Sequence, residues 1–252
     1  MEDLKSRLRE NNILVVIPTY NNPLTLQSVI TDVLKHSDNV LVVNDGSTDN
    51  QTSEIIGLFS VESISYTPNR GKGYAIQQAL KYASKNGYHY IITIDSDGQH
   101  FPEDIVQFVD KIEKSPNSLI IGARNLRANN MPLKNTFSNK FTNLGYRVIT
   151  GHKLRDTQSG YRLYPIKNIA NKHYFTSRYE FEVEVIVRAA WRGIDICNIP
   201  IQVYYPPIGE RVSHFKPLKD FTRICVINMI FFILALLYYY PSKFIRMFTR
   251  KI

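Results

Sequence analysis

The sequence predicts an α/β protein: a mostly parallel sheet with helices on both faces. Two observations carry this. Short, nearly continuous apolar runs rich in β-branched residues alternate with stretches of helical periodicity, the pattern of strands buried on both sides. Each run also ends in a cluster of polar residues and glycines, as strands do when their carboxyl ends form a common ligand edge.

The elements follow in order. Residues 13–17 read as a buried strand and 24–34 as a helix. Residues 40–43 are the second strand, and 48–58 a helix with Ser47 or Thr48 as its N-cap. A short strand at 63–66 precedes a helix at 71–85, whose Ala75, Ala79 and Ala83 share one face. A strand at 89–94, a helix at 102–114 with proline in its first turn, and a strand at 118–121 complete the regular half. The second half is less regular: helical at 135–149, a short strand at 161–164, a helix at 179–191 stopped before Gly193, and an extended segment at 194–204 interrupted by Pro200. Pro206-Pro207-Ile208-Gly209 then breaks the pattern, and a basic stretch leads into an apolar run at 224–240 closed by Pro241. The expected division is a folded domain over 1–210 and a basic, apolar segment over 211–252.

Composition bounds the function. Hydrophobic residues make up 44% and charged residues 21% of 252, enough for an ordinary core and against global disorder. The net charge of +9 points to anionic partners: nucleotide phosphates, lipid head groups or nucleic acid. Nucleic acid is not expected, because Lys and Arg are scattered rather than interleaved with stacking aromatics on one face. Cys197 and Cys225 are lone thiols rather than a disulfide framework, which suits a reducing compartment. Residues 1–12 are charged and polar, so no cleaved signal peptide is expected.

The chemistry gathers at the strand exits: Pro18-Thr19-Tyr20-Asn21, Asn44-Asp45-Gly46-Ser47, Asn69-Arg70-Gly71-Lys72-Gly73, Asp95-Ser96-Asp97-Gly98-Gln99 and Gly122-Ala123-Arg124. The sharpest is Asp95-Ser96-Asp97. Two carboxylates this close repel unless a cation joins them, and hard oxygen ligands favour Mg²⁺ or Mn²⁺. Gln99 offers a third oxygen. Such an ion clamps a diphosphate and stabilises it as a leaving group. Asp45 is placed to accept bonds from a base or ribose, or else to cap the next helix. Arg70 and Lys72 bring positive charge, and the glycines beside them backbone N–H groups, to a phosphate at a helix start. Arg124 is a candidate phosphate partner, or else a surface charge after its strand.

Together these residues resemble the family 2 glycosyltransferases of the GT-A fold. Ile17-Pro18-Thr19-Tyr20-Asn21 is similar to their first strand exit, Val43-Asn44-Asp45-Gly46-Ser47-Thr48-Asp49 to their nucleotide-binding segment, and Asp95-Ser96-Asp97 to their metal-binding Asp-x-Asp. Within the family the likeness is to the dolichyl- or polyprenyl-phosphate mannose synthases. It runs through Asp97-Gly98-Gln99-His100-Phe101-Pro102, Gly122-Ala123-Arg124, Asp156-Thr157-Gln158-Ser159-Gly160-Tyr161-Arg162, Phe181-Glu182-Val183-Glu184 and Val203-Tyr204-Tyr205. Asn22 stands where the family often has Glu, and Asn44-Asp45 where it often has two acids.

The resemblance implies an inverting, metal-dependent transfer of a hexose, mannose or glucose, from a GDP- or UDP-sugar to a polyprenyl phosphate or related lipid acceptor. The alternative acceptor is a hydroxyl of a cell-surface polysaccharide or glycolipid. The expected donor site is Pro18, Tyr20, Asn21, Asp45, Arg70, Lys72, Asp95 and Ser96, and the expected Mg²⁺ or Mn²⁺ ligands are Asp95, Asp97 and Gln99. A lipid phosphate is already anionic and needs positive partners, for which Arg124, Arg162 and Arg211 are candidates. A hydroxyl acceptor needs a base, with Asp156, Glu180 and Glu182 as candidates. Asp97, Asp156, Glu182 and Arg124 form the expected catalytic set.

The apolar run at 224–240 is at the short end of what spans a bilayer, about 17–25 residues. Lys216, Lys219 and Arg223 flank one side, and Lys243, Arg246, Arg250 and Lys251 the other. A full span with a cytosolic domain would place the last four outside, against the positive-inside tendency. The expectation is therefore a re-entrant or interfacial helix at the cytoplasmic face of a membrane, with a helix buried on the domain or a second subunit as the alternative.

Overall fold

Seven strands form one sheet in the order β3-β2-β1-β4-β6-β5-β7. They are β1 (Ile13–Thr19), β2 (Val40–Asn44), β3 (Glu62–Ser65), β4 (Tyr90–Thr93), β5 (Leu119–Ala123), β6 (Arg162–Pro165) and β7 (Ile196–Pro200). This is a computed structural model, and it describes residues 2–125, 133–205, 207 and 216–249. All neighbours pair in parallel except β6, which runs antiparallel to both β4 and β5.

The period of two sorts each strand between two cores. Leu14, Val16, Leu41 and Val43 face one side, against helices α4 (Lys72–Lys85), α6 (Leu133–Thr150), α7 (Ile166–Ile169) and α8 (Phe181–Trp191). Ile13, Val15, Ile17, Val40 and Val42 face the other, against α1 (Glu2–Glu10), α2 (Pro23–His36), α3 (Asn50–Gly57) and α5 (Ile105–Lys114). Pro18 is tolerated in the central strand. Val15 donates toward β2, so by alternation the missing N–H of Pro18 faces the β4 side. Register with β4 has already ended there, at Val16 and Thr93.

Three elements differ from the sequence reading. The first residues form α1, which buries Leu4 and Leu8 and is held to α5 through Arg7, bonded to Asp110 at 2.6 Å and Glu113 at 2.7 Å. The N-cap of α3 is Asp49, whose carboxylate accepts the Thr52 N–H at 2.6 Å; Ser47 and Thr48 are bonded to Asn21 instead. The C-terminal helix does not stop at Pro241. It runs as α9 (Pro217–Leu234), a π-helical turn (Ala235–Tyr239) and α10 (Tyr240–Thr249). The π turn ahead of the proline offsets the backbone pairing that proline cannot make.

This long helix lies along α6 and α8. Ile224, Ile227, Phe231 and Ala235 form its buried stripe, and Trp191 stacks on Tyr239 with ring centroids 5.3 Å apart. The Tyr240 hydroxyl donates to the Val148 carbonyl at 2.6 Å. Its other side is apolar and exposed: Val226, Met229, Ile230, Ile233 and Leu237, continued by Phe141, Leu144 and Val148 of α6. Leu218–Arg246 is long and apolar enough to cross a membrane, yet it is packed on the domain along one face.

Candidate active site

A cavity of about 890 Å³ opens at the carboxyl ends of β1, β2 and β4. Its floor is built by side chains that fasten one strand exit to the next. The Asn21 amide oxygen accepts the Thr48 N–H at 2.7 Å, and the Ser47 hydroxyl accepts the Asn21 backbone N–H at 2.9 Å. The Asn22 amide donates to the Ser96 carbonyl at 2.7 Å and to its hydroxyl at 3.2 Å. Two consecutive asparagines thus tie the exits of β2 and β4 to that of β1. Asn22, a departure from the family pattern, positions the acidic motif; no spacing signal announces it.

Asp45 is buried and lines the cavity, with its carboxylate already engaged. It accepts from the Asn69 side chain at 2.8 Å and from the backbone N–H groups of Arg70 at 2.9 Å and Gly71 at 2.7 Å. It holds the 69–71 loop against β2. Gly46, at φ 69, permits this approach, because a Cβ there would strike the backbone of Pro68 and Asn69. Arg70 turns away from the cavity: its guanidinium lies 3.9 Å over the Tyr74 ring and bonds the Tyr74 hydroxyl at 2.6 Å.

The acidic centre follows β4. Lys72 bridges Asp95 at 2.7 Å and Glu182 at 3.2 Å. Burial opposes the lysine charge, but Asp95 and Glu182 outweigh it and hold its pKa above the ordinary value. Asp95 is held low: burial works against its charge, and the charge and hydrogen bond of Lys72 overcome that. Asp97 goes the other way, pushed up to about 6 by burial and by the charge of Asp95. Burial pushes His100 down to about 4, so it is neutral near pH 7. Gly160 packs so closely on this centre that a Cβ would strike both Lys72 and the Asp95 carboxylate.

These residues fit a divalent cation. Two carboxylates, Asp95 and Asp97, stand at one cavity wall and raise the cost of each other's charge; Gln99, the third expected ligand, is outside the cavity lining, its amide without a partner among the described residues. Pro18, Tyr20, Asn21, Asp45, Lys72, Asp95, Ser96 and Asp97 all line the cavity, so the structure brings most of the expected donor set together.

It does not bring in Asp156, Arg124 or Arg162, none of which lines the cavity. Asp156 is fully buried and takes the Arg124 guanidinium at 2.7 and 3.1 Å, the Asn139 amide at 2.6 Å and the Gln158 N–H at 2.9 Å. Despite burial, Arg124 holds its pKa below the ordinary value. In this arrangement every oxygen of the Asp156 carboxylate is engaged by framework groups. Arg162 is equally sealed, donating to the carbonyls of Ser159 at 2.6 Å, Glu182 at 2.8 Å and Thr157 at 2.9 Å. It braces the backbone and has no guanidinium edge for a phosphate. Glu182 reaches the site only through Lys72, and Glu180 is outside the cavity lining. Arg211 lies outside the described residues. The cavity wall also includes Arg178 and Tyr179 before α8, and Lys216, Lys219, Asp220 and Arg223 at the start of the C-terminal helix. In the sequence, Lys219 and Arg223 stand out only as a basic flank of the apolar run.

A mostly parallel sheet with one antiparallel strand, helices on both faces and an acidic pair at the β4 exit is the architecture of a GT-A glycosyltransferase. The chain belongs to glycosyl transferase family 2, whose sequence model matches residues 14–171. It is 30% identical to a UDP-N-acetylglucosamine–dolichyl-phosphate N-acetylglucosaminyltransferase of Methanococcus voltae over 86% of this chain and 96% of that one. It is 29% identical to an undecaprenyl-phosphate mannosyltransferase of Micrococcus luteus over 79% of this chain and 86% of that one. Among solved structures, glucosyl-3-phosphoglycerate synthase of Mycobacterium tuberculosis, in complex with Mn²⁺, UDP and phosphoglyceric acid, superposes with a TM-score of 0.66. That likeness covers 94% of this chain and 81% of the other at 18% identity, and shows the fold.

Proposed function

We propose that this glycosyltransferase moves a sugar, with inversion, from a nucleotide-sugar to the phosphate of a polyprenyl-type lipid at the cytoplasmic face of a membrane. One observation carries the reading: the long apolar helix supplies part of the wall of the cavity that holds Asp95 and Asp97. An acceptor whose chain lies on an apolar surface would reach that cavity without leaving it. The relatives support the acceptor class. Their names share a lipid phosphate and differ in sugar, which is N-acetylglucosamine, mannose or glucose. The donor is therefore proposed as a GDP- or UDP-activated hexose or N-acetylhexosamine.

The nucleoside would lie across the exits of β1 and β2, whose shape is held by Asn21 and by the Asp45-anchored loop. Asp95, Asp97 and Gln99 would hold Mg²⁺ or Mn²⁺, which when bound offsets charge on the departing diphosphate. Lys72 keeps Asp95 ionised and oriented. A lipid phosphate is anionic near pH 7 and attacks without a general base, which agrees with the sealed state of Asp156. Residues 1–210 carry the donor site in this reading. Lys216, Lys219, Asp220 and Arg223 supply one wall of the site, and the segment 211–252 is the proposed membrane-facing one.

The test is transfer of label from UDP-N-acetylglucosamine, UDP-glucose and GDP-mannose, with Mg²⁺ or Mn²⁺, onto a polyprenyl phosphate in detergent. One donor should give a lipid-extractable product that disappears in Asp97→Ala. Label passing only to a glycan or glycolipid hydroxyl would overturn the acceptor.

A further inference from the structure

We propose that Lys219 and Arg223 form the receiving site for the acceptor's phosphate, an inference that rests on the lipid-phosphate reading above. A phosphate that attacks as a nucleophile has to be held beside the sugar, and a cavity lined by four aspartates, Asp45, Asp95, Asp97 and Asp220, repels it. Something positive must therefore face the acidic wall. Arg124 is bound to Asp156, and Arg162 has its donors on three backbone carbonyls. Lys72 is held between Asp95 and Glu182.

Lys219 and Arg223 both line the cavity and neither has an ion-pair partner among the described residues. They stand at i and i+4 of α9, so their side chains share one helix face and reach a common point. Asp220 between them keeps its negative charge and lines the same cavity, its carboxylate accepting the Lys216 N–H at 2.7 Å, but the two cations outnumber it. The same helix leaves Val226, Met229 and Ile230 exposed within the next two turns. A lipid chain on that apolar surface ends at the helix start, where the two cations would receive its head group. Charge-assisted contacts from two cations hold a phosphate more strongly than neutral donors would. The nucleotide-sugar diphosphate has the same chemistry and is the rival occupant.

The experiment uses the full chain in detergent, with a short polyprenyl phosphate and the active donor. The Lys219→Gln/Arg223→Gln variant is compared with wild type for the KM of each substrate and for nucleoside diphosphate binding by calorimetry. We expect the KM for the lipid phosphate to rise by about tenfold or more, with donor KM and nucleotide affinity within about twofold of wild type. The lipid KM of wild type should rise with salt more steeply than that of the variant. A rise confined to the donor KM would assign the pair to the diphosphate and overturn the proposal. No change in either KM would also overturn it. A wild type that uses no lipid phosphate would sink the acceptor reading itself, and this inference with it. If the double variant fails to fold, judged by its unfolding midpoint, Arg223→Lys and Arg223→Gln are compared instead: Lys should retain most of the lipid affinity and Gln should not.

Discussion

Asp95 pairs with Lys72 at 2.7 Å, and Asp156 pairs with Arg124 at the same distance, both beyond the carboxyl ends of strands in one sheet. Their surroundings differ. Asp156 is fully buried, and its oxygens take donors from Arg124, Asn139 and the turn that follows. Asp95 opens on the cavity and sits near a second carboxylate, Asp97, whose pKa is pushed up to about 6. A carboxylate supplied with more donors than it needs stabilises the fold. One supplied with fewer, beside a like charge, is available for a ligand cation. The number of donors on a carboxylate, rather than its pairing, separates framework from chemistry.

The largest expected effect breaks the acidic pair. Asp97→Ala should lower kcat/KM for sugar transfer by about a thousandfold or more, as loss of a charge-stabilising group at a leaving diphosphate does. Its unfolding midpoint in EDTA should not fall, and a fall would mean that Asp97 serves the fold. The mirror experiment is Asp156→Ala, which leaves the Arg124 charge buried and alone. It should cost about 3–5 kcal/mol in urea unfolding; a cost below 1 kcal/mol would place Asp156 outside the framework.

A smaller effect sharpens the contrast through pH. The folded pKa of Asp97, about 6, lies above its ordinary value of 3.8, so the folded state binds this proton more readily than the unfolded chain. Its ionisation therefore costs stability, fully above pH 6 and not at all below about pH 4. Asp97→Asn should stabilise the metal-free protein by about 1–3 kcal/mol at pH 8, and the gain should fade as pH drops through 6 toward 4. A gain independent of pH would refute the electrostatic account. The smallest effect concerns Arg70, which lies over Tyr74 rather than in the cavity. Arg70→Ala should change donor KM by less than about threefold, within the range of a surface substitution. A tenfold rise would put its guanidinium back on the diphosphate.

Much of the fold was legible because buried parallel strands carry their own signal. The runs at 13–17, 40–43 and 118–121 became β1, β2 and β5, with every residue in these strands buried. The helix at the N-terminus was not legible: its short apolar pattern, Leu4 and Leu8, acquires meaning only when α2 and α5 supply a surface to cover it. In the site, Asp95, Asp97, Asp45, Lys72 and the β1 exit were legible, because strand ends converge wherever parallel strands lie side by side.

Fold class, family and the acidic pair are written in the chain itself, since each depends on local periodicity or on residues adjacent in sequence. Tertiary structure alone decided which charges are sealed and which are open. Asp156 and Arg162 carry the same formal charge in the sequence as any Asp or Arg, and only the fold surrounds them with donors and carbonyls. It also decided that the start of the C-terminal helix belongs to the cavity. No local pattern links Lys219 and Arg223 to Asp95; packing of that helix on α6 and α8 brings them to one wall.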